Sequence, residues 1–113
     1  MPIPELELAR VKRALDRFCD RIPVHIRHQL THLYRFTGNS VVLIERRPHY
    51  LEPSRHTEHP FAKFVYNQRR GSWSLRWRDR NTRWHEYDGF QDRPHFSELL
   101  AEVAADPTGI FLG

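Results

Sequence analysis

Residues 73–88 read WSLRWRDRNTRWHEYD, with three tryptophans and four arginines in sixteen positions. A guanidinium is a planar fork of donors that matches phosphate, and a tryptophan ring offers a face on which an unpaired base stacks. Arg76, Arg78, Arg80, Arg83 and Trp84 are therefore the candidate ligand-binding residues, and Arg69 and Arg70 extend the set. From residue 69 to 83 these six arginines face the single acid Asp79, a local charge of +5 in a chain whose net charge is +4. Such a concentration is the electrostatic footprint of a phosphate-binding surface. Sixteen arginines against two lysines, with eight histidines, is also what a G+C-rich coding sequence yields without selection for binding. The clustering of the arginines, rather than their number, carries the signal.

Other reactive residue types are thinner. His56, Glu58 and His59, with His49 nearby, offer nitrogen and carboxylate ligands of the kind zinc takes. They lie in a proline-rich stretch without the helical spacing that brings two imidazoles to one face, so His49, His56 and His59 are only weak metal candidates. Glu45 is placed opposite His32, a pair that suits acid–base work but is more often a structural contact. No Ser–His–Asp order or glycine-rich phosphate loop is present, so no catalytic residue and no cofactor is assigned. Cys19 is the single cysteine, which excludes an internal disulfide and a thiolate cluster; it reads as a packing residue.

The elements that must position these side chains follow from periodicity. Leu8, Val11, Leu15, Phe18 and Ile22 recur at spacings of three and four, which predicts a helix over 4–22, opened by Pro4, Glu5 and Glu7 and closed by Pro23. From about residue 29 the period becomes two. A hairpin turning at Gly38-Asn39 sets Tyr34 against Leu43 and His32 against Glu45. Pro48, Pro53 and Pro60 mark an irregular connection over 48–60, and FAKFVYN, WSLRWR and RWHEYD supply further strands. Phe96, Leu99, Leu100 and Val103 define a second helix over about 94–105, and Ile110, Phe111 and Leu112 predict that the tail, 106–113, packs back. The expected fold is a single α+β domain: helix, antiparallel meander of about five strands over 29–88, helix.

Alternation puts Trp73, Leu75 and Trp77 on one strand face, as core, and Arg76 and Arg78 on the other. The next strand depends on its turn. A two-residue loop at Arg80-Asn81 needs positive φ at an arginine and would bury Trp84 and Glu86 together. A three-residue loop, Asp79-Arg80-Asn81, needs it only at Asn81, and puts Trp84 beside Arg76 and Arg78 with His85 and Tyr87 behind the core tryptophans. The second register is the expected one. A slip of one residue decides whether the basic face displays an aromatic ring.

The strings GNSVVLIERRP, PFAKFVY, WSLRWRDRNTRWHEYD and DPTGIFLG, in that order, resemble a bacterial family known as domain of unknown function 3024. The resemblance runs from about Phe18 to the last residue. It implies a small bacterial cytoplasmic protein and transfers no activity. The family pattern has glycine after Asn81, where this chain has Thr82. No apolar run approaches the roughly 20 residues of a membrane span, and the first residues, MPIPELELARVKR, contain acids in place of a secretory apolar segment. A cytoplasmic, non-enzymatic binding module is expected, its basic sheet face taking single-stranded nucleic acid or RNA. The alternatives are an adaptor for an acidic protein partner and, less favoured, a small metal-dependent hydrolase.

Overall fold

In the computed structural model, which describes residues 3–90 and 93–112, the first helix, α1, spans Glu5–Cys19. Pro4 stands at its N-cap with φ −57°, pre-set for helix entry, and Glu5 and Glu7 lie at the positive end of the dipole. Val11, Leu15 and Phe18 are buried. Regular helix stops short of the expected Ile22. Arg21 N–H bonds back to Phe18 and Ile22 N–H to Cys19, three residues each, so the last turn tightens before Pro23. A single 3-10 turn, Val24–Ile26, then leads into the sheet.

Five antiparallel strands lie in sequence order: β1 (Thr31–Thr37), β2 (Ser40–Pro48), β3 (His56–Asn67), β4 (Ser72–Arg78) and β5 (Trp84–Glu86). The first hairpin has the expected register, with Tyr34 opposite Leu43 and His32 opposite Glu45. Positive φ occurs at Gly38 and not at Asn39, the signature of a type II′ loop. The 48–60 segment differs from expectation. Strand structure resumes at His56, so the irregular connection covers only 49–55. Pro60 sits within β3 beside a register shift, Leu43 pairing with Ala62 and Ile44 with Pro60, which leaves Phe61 as the extra residue of a bulge. A bulge is where a sheet tolerates a residue without an N–H.

The second helix, α2 (Phe96–Ala105), buries Phe96, Leu99, Leu100 and Val103 as its spacing requires. One core contains Val11 and Leu15 from α1, Val41, Phe64, Trp73 and Leu75 from the sheet, and Leu99 and Val103 from α2. Both helices therefore cover one face of the sheet, the inner face. Residues of opposite parity, among them Val42, Lys63, Val65 and Arg76, stand on an outer face that no described helix covers. Asp106, at φ 44°, ends α2, and its carboxylate accepts the N–H groups of Phe111 (3.0 Å) and Leu112 (2.7 Å). The tail thus packs back through Phe111, whose ring lies 5.1 Å from that of Tyr87, while Leu112 remains 41% exposed. No helix among the described residues is long and apolar enough to cross a membrane.

Leu75 is fully buried where the sheet meets both helices' apolar faces. Leu75→Ala is expected to cost about 3 kcal/mol, within the range for buried leucine truncations. That corresponds to a fall in Tm of about 10 °C or more for a domain of this size, read by thermal denaturation followed by circular dichroism.

Candidate nucleic-acid interface

Strand β4 sends Trp73, Leu75 and Trp77 inward and Ser74, Arg76 and Arg78 outward. Which way β5 faces is settled by pairing: Arg78 opposes Trp84, Trp77 opposes His85 and Arg76 opposes Glu86. Trp84 is therefore on the outer face with Arg76 and Arg78, and Tyr87 is buried behind the core tryptophans, as the expected parity required. The loop itself differs. It holds five residues, 79–83, rather than three, and positive φ falls on Thr82 (66°), not Asn81. Two extra residues preserve parity, which is why the facing is right although the turn is not.

Asp79 organises that loop. Its Oδ1 accepts the N–H groups of Asn81 (2.8 Å) and Arg83 (2.9 Å), and its Oδ2 accepts from His85 Nε2 at 2.6 Å. The His85 hydrogen bond, then that from the Arg83 amide, holds the Asp79 carboxyl below the usual aspartate range. His85 stacks on Trp77 with centroids 4.7 Å apart, tying the loop to the inner face. Arg80 and Arg83 are exposed beside this rigid turn.

The outer face carries a cation that the sequence reading missed. Lys63 pairs directly with Arg76 across β3 and β4, and its Nζ lies 5.9 Å from the Trp84 ring centroid. Alternation in FAKFVY, with Ala62 and Phe64 inward, was the signal that placed it outward. The outward row reads Arg35, Val42, Lys63, Arg76, Glu86 across the five strands. Arg35 is engaged by Glu58 through two bonds of 2.7 and 2.8 Å. Arg76 has a buried Nε without a hydrogen-bond partner among the described residues, and it lines a hollow of about 430 Å³ with Asn67, Gln68, Ser74 and Glu86. Arg78 and Arg80 line a second hollow of about 300 Å³ at the other end.

Arg69 and Arg70 do not join Arg80 and Arg83. They sit in the β3–β4 turn, where Asn67 Oδ1 accepts from Arg70 N–H. The seven residues of β4 separate the two loops, a distance of roughly 20 Å at about 3.3 Å per residue. The candidate residues thus form a strip: a basic turn, the Lys63–Arg76–Arg78–Trp84 patch, and a second basic turn.

The chain belongs to the DUF3024 family. The family model, described as a domain of unknown function, matches residues 3–113. No curated protein and no solved structure matches the chain. Thr82, where the resemblance implied a glycine, occupies the one position of this loop in the left-handed region. A β-branched side chain is strained there.

The other candidates are dispersed. His56 and His59 are three apart on a strand, so they point to opposite faces, and Glu58 is held by Arg35. His49 Nδ1 accepts the N–H groups of Leu51 and Glu52. Among the described residues no group of three or more His, Cys, Asp or Glu side chains could hold a metal ion. His32 does oppose Glu45, but Glu45 accepts from Arg47 Nε at 2.6 Å, and His32 lies between the rings of Phe18 and Phe61. Burial pushes the His32 pKa below its ordinary value; Glu45 pulls it up, and Arg21 and Arg47 push it down.

Two outcomes are expected. Thr82→Gly should relieve the left-handed strain and raise stability by about 0.5–1 kcal/mol after the entropic cost of glycine, measured by urea denaturation. His32 binds its proton less readily folded than unfolded, so its stabilising contribution is complete above about pH 6.5 and declines as pH falls toward the folded value. Tm measured across that interval should slope downward with acid, and His32→Phe should flatten the slope.

Proposed function

We propose that this DUF3024 protein is a single-stranded nucleic-acid-binding module that uses the outer face of its sheet. The observation that carries the reading is the cross-strand pair Lys63–Arg76, set beside Arg78 and Trp84 on an uncovered face. Like charges directly opposite one another cost stability, with Glu86 opposite Arg76 on the next strand. A polyanion laid along the strip offsets that repulsion. A base stacked against Trp84 would use the partly exposed ring, and the guanidinia of Arg76 and Arg78 would take the adjoining phosphates. Arg69 and Arg70 at one end, and Arg80 and Arg83 at the other, give the strip a length of several nucleotides.

The chemistry is binding without turnover. Phosphate contacts fix a backbone and stacking tolerates any base. The arrangement therefore favours single strands over duplex, since a paired base cannot reach one ring on a flat face.

Fluorescence titration with short single-stranded RNA and DNA at two salt concentrations tests this reading. Quenching should saturate, and affinity should fall steeply with salt, by a log–log slope of about 0.7 per phosphate engaged. Arg76→Ala with Arg78→Ala should weaken binding at least tenfold and reduce that slope. Trp84→Phe should abolish most of the quenching. Lys63→Thr should lower affinity while raising stability by about 0.5 kcal/mol, because it removes one of two opposed charges. Salt-insensitive binding, or none at low salt, would return these arginines to a solvated sheet face.

A further inference from the structure

We propose that the seam between α1 and α2 is a docking groove for an acidic amphipathic helix of a partner protein. This surface lies on the side of the molecule remote from the outer sheet face and does not depend on the nucleic-acid reading.

The two helices run side by side in the same sense, because residues 7–14 of α1 border residues 95–97 and residues 14–21 border residues 97–104. Along the seam lie two hollows of about 110 and 370 Å³, and a third of about 230 Å³ continues past the end of α1 against His32 and Leu112. Neighbouring hollows share residues, Ala14 and Ser97 between the first pair and Phe18 and Arg21 between the second, so they form one continuous groove. Its apolar lining is Ala14, Phe18, Leu100 and Ala104, with Ala101 exposed at the edge. Small side chains let a third helix approach closely, toward the short end of the 8–10 Å interaxial range. The last hollow, between Phe18, Ile22 and Leu112, would take one larger apolar side chain.

Charge decides which helix. Arg10, Arg17 and Arg21 border the groove, and none of them forms a salt bridge among the described residues. The nearby acids keep their charge, each oriented by another group. Glu7 accepts from Trp73 Nε1 at 3.0 Å, Asp16 from the Tyr34 hydroxyl at 2.7 Å and Glu102 from the Tyr87 hydroxyl at 2.6 Å, while Glu98 faces Arg93 at 3.6 Å. Three arginines against Glu7, which lines the first hollow, give the border a net positive charge, and an apolar lining with such a border calls for an occupant with an apolar stripe and carboxylates beside it. A second copy of this chain does not fit, because two-fold pairing through the groove sets the arginine rim against itself. By helical rise Arg10 and Arg17 are separated by about 10 Å, and Arg17 and Arg21 by about 6 Å. Carboxylates four and seven residues apart on the partner meet that spacing.

The test uses the full chain and a panel of helical peptides of about 18 residues, long enough to hold helix in water. Each has a Leu/Ala stripe flanked by glutamates, and each has a twin with lysines in their place. The glutamate peptides should bind saturably, with amide shifts mapped by NMR centred on Ala14, Ser97 and Ala101. The lysine twins should bind at least tenfold more weakly. Ala101→Trp, which fills the groove from an exposed position, and Arg17→Glu should each reduce affinity about tenfold with unchanged circular dichroism. The proposal is overturned by any of four results: no saturable binding across the panel, equal binding of twins, shifts on the outer sheet face, or preference for anionic phosphatidylglycerol vesicles over the peptides.

Discussion

Every layer of this domain meets at the Trp73 indole. The side chain is fully buried, its ring lies 5.0 Å from Tyr66 in β3 and 5.1 Å from Phe96 in α2, and its Nε1–H donates to Glu7 in α1. Its backbone also exchanges hydrogen bonds of 2.7 and 3.0 Å with Arg93, so the approach to α2 is pinned at the same residue. A large apolar ring with one donor is suited to such a junction, since burying it without a partner for the N–H would cost free energy. Once Trp73 points inward, the pleat leaves no choice for its strand. Ser74, Arg76 and Arg78 must point outward, and the basic face is a geometric consequence of anchoring the tryptophan.

That consequence was legible in the sequence because strand alternation has a period of two and tolerates no fractional error. The first hairpin register and the inward row Trp73, Leu75, Trp77 follow from parity alone. The facing of Trp84 survived a wrong turn for the same reason: three loop residues and five have equal parity. What parity cannot report is the loop's own geometry. Five residues close there because Asp79 satisfies two amides and His85 together, a network of local hydrogen bonds that hydrophobic pattern does not encode. The strain consequently fell on Thr82, one residue beyond the asparagine better fitted to bear it.

The bulge at Phe61 shows a second limit. Proline is ordinarily evidence against a strand interior, and three prolines over 48–60 read naturally as a loop. Pairing of β2 with β3 on both sides of the bulge outweighs that local preference, and Phe61 and Ala62 are both buried as a result. The bulge switches the inward-facing parity of β3, from Ala62, Phe64 and Tyr66 on one side of it to His59, opposite Glu45, on the other. Long-range pairing also explains why Lys63 was overlooked. Its strand faces were evident, but its position opposite Arg76 exists only after β3 and β4 are aligned.

The two proposed surfaces follow from one asymmetry in how cations are accommodated. On the helical side, Glu7, Asp16 and Glu102 each accept from a neutral donor and Glu98 faces Arg93, while Arg10 and Arg17 form no salt bridge among the described residues and Arg21 packs over the Phe18 ring. On the sheet side, carboxylates are few, and Glu58 is taken by Arg35, so Lys63, Arg76 and Arg78 share what remains. Several acids serve the architecture, holding Trp73, Tyr34, Tyr87 and the 79–83 loop in place, while cations border two separate faces. A flat pleat with one ring fits the proposed flexible strand with bases, and an apolar furrow bordered by arginines fits the proposed rigid helix.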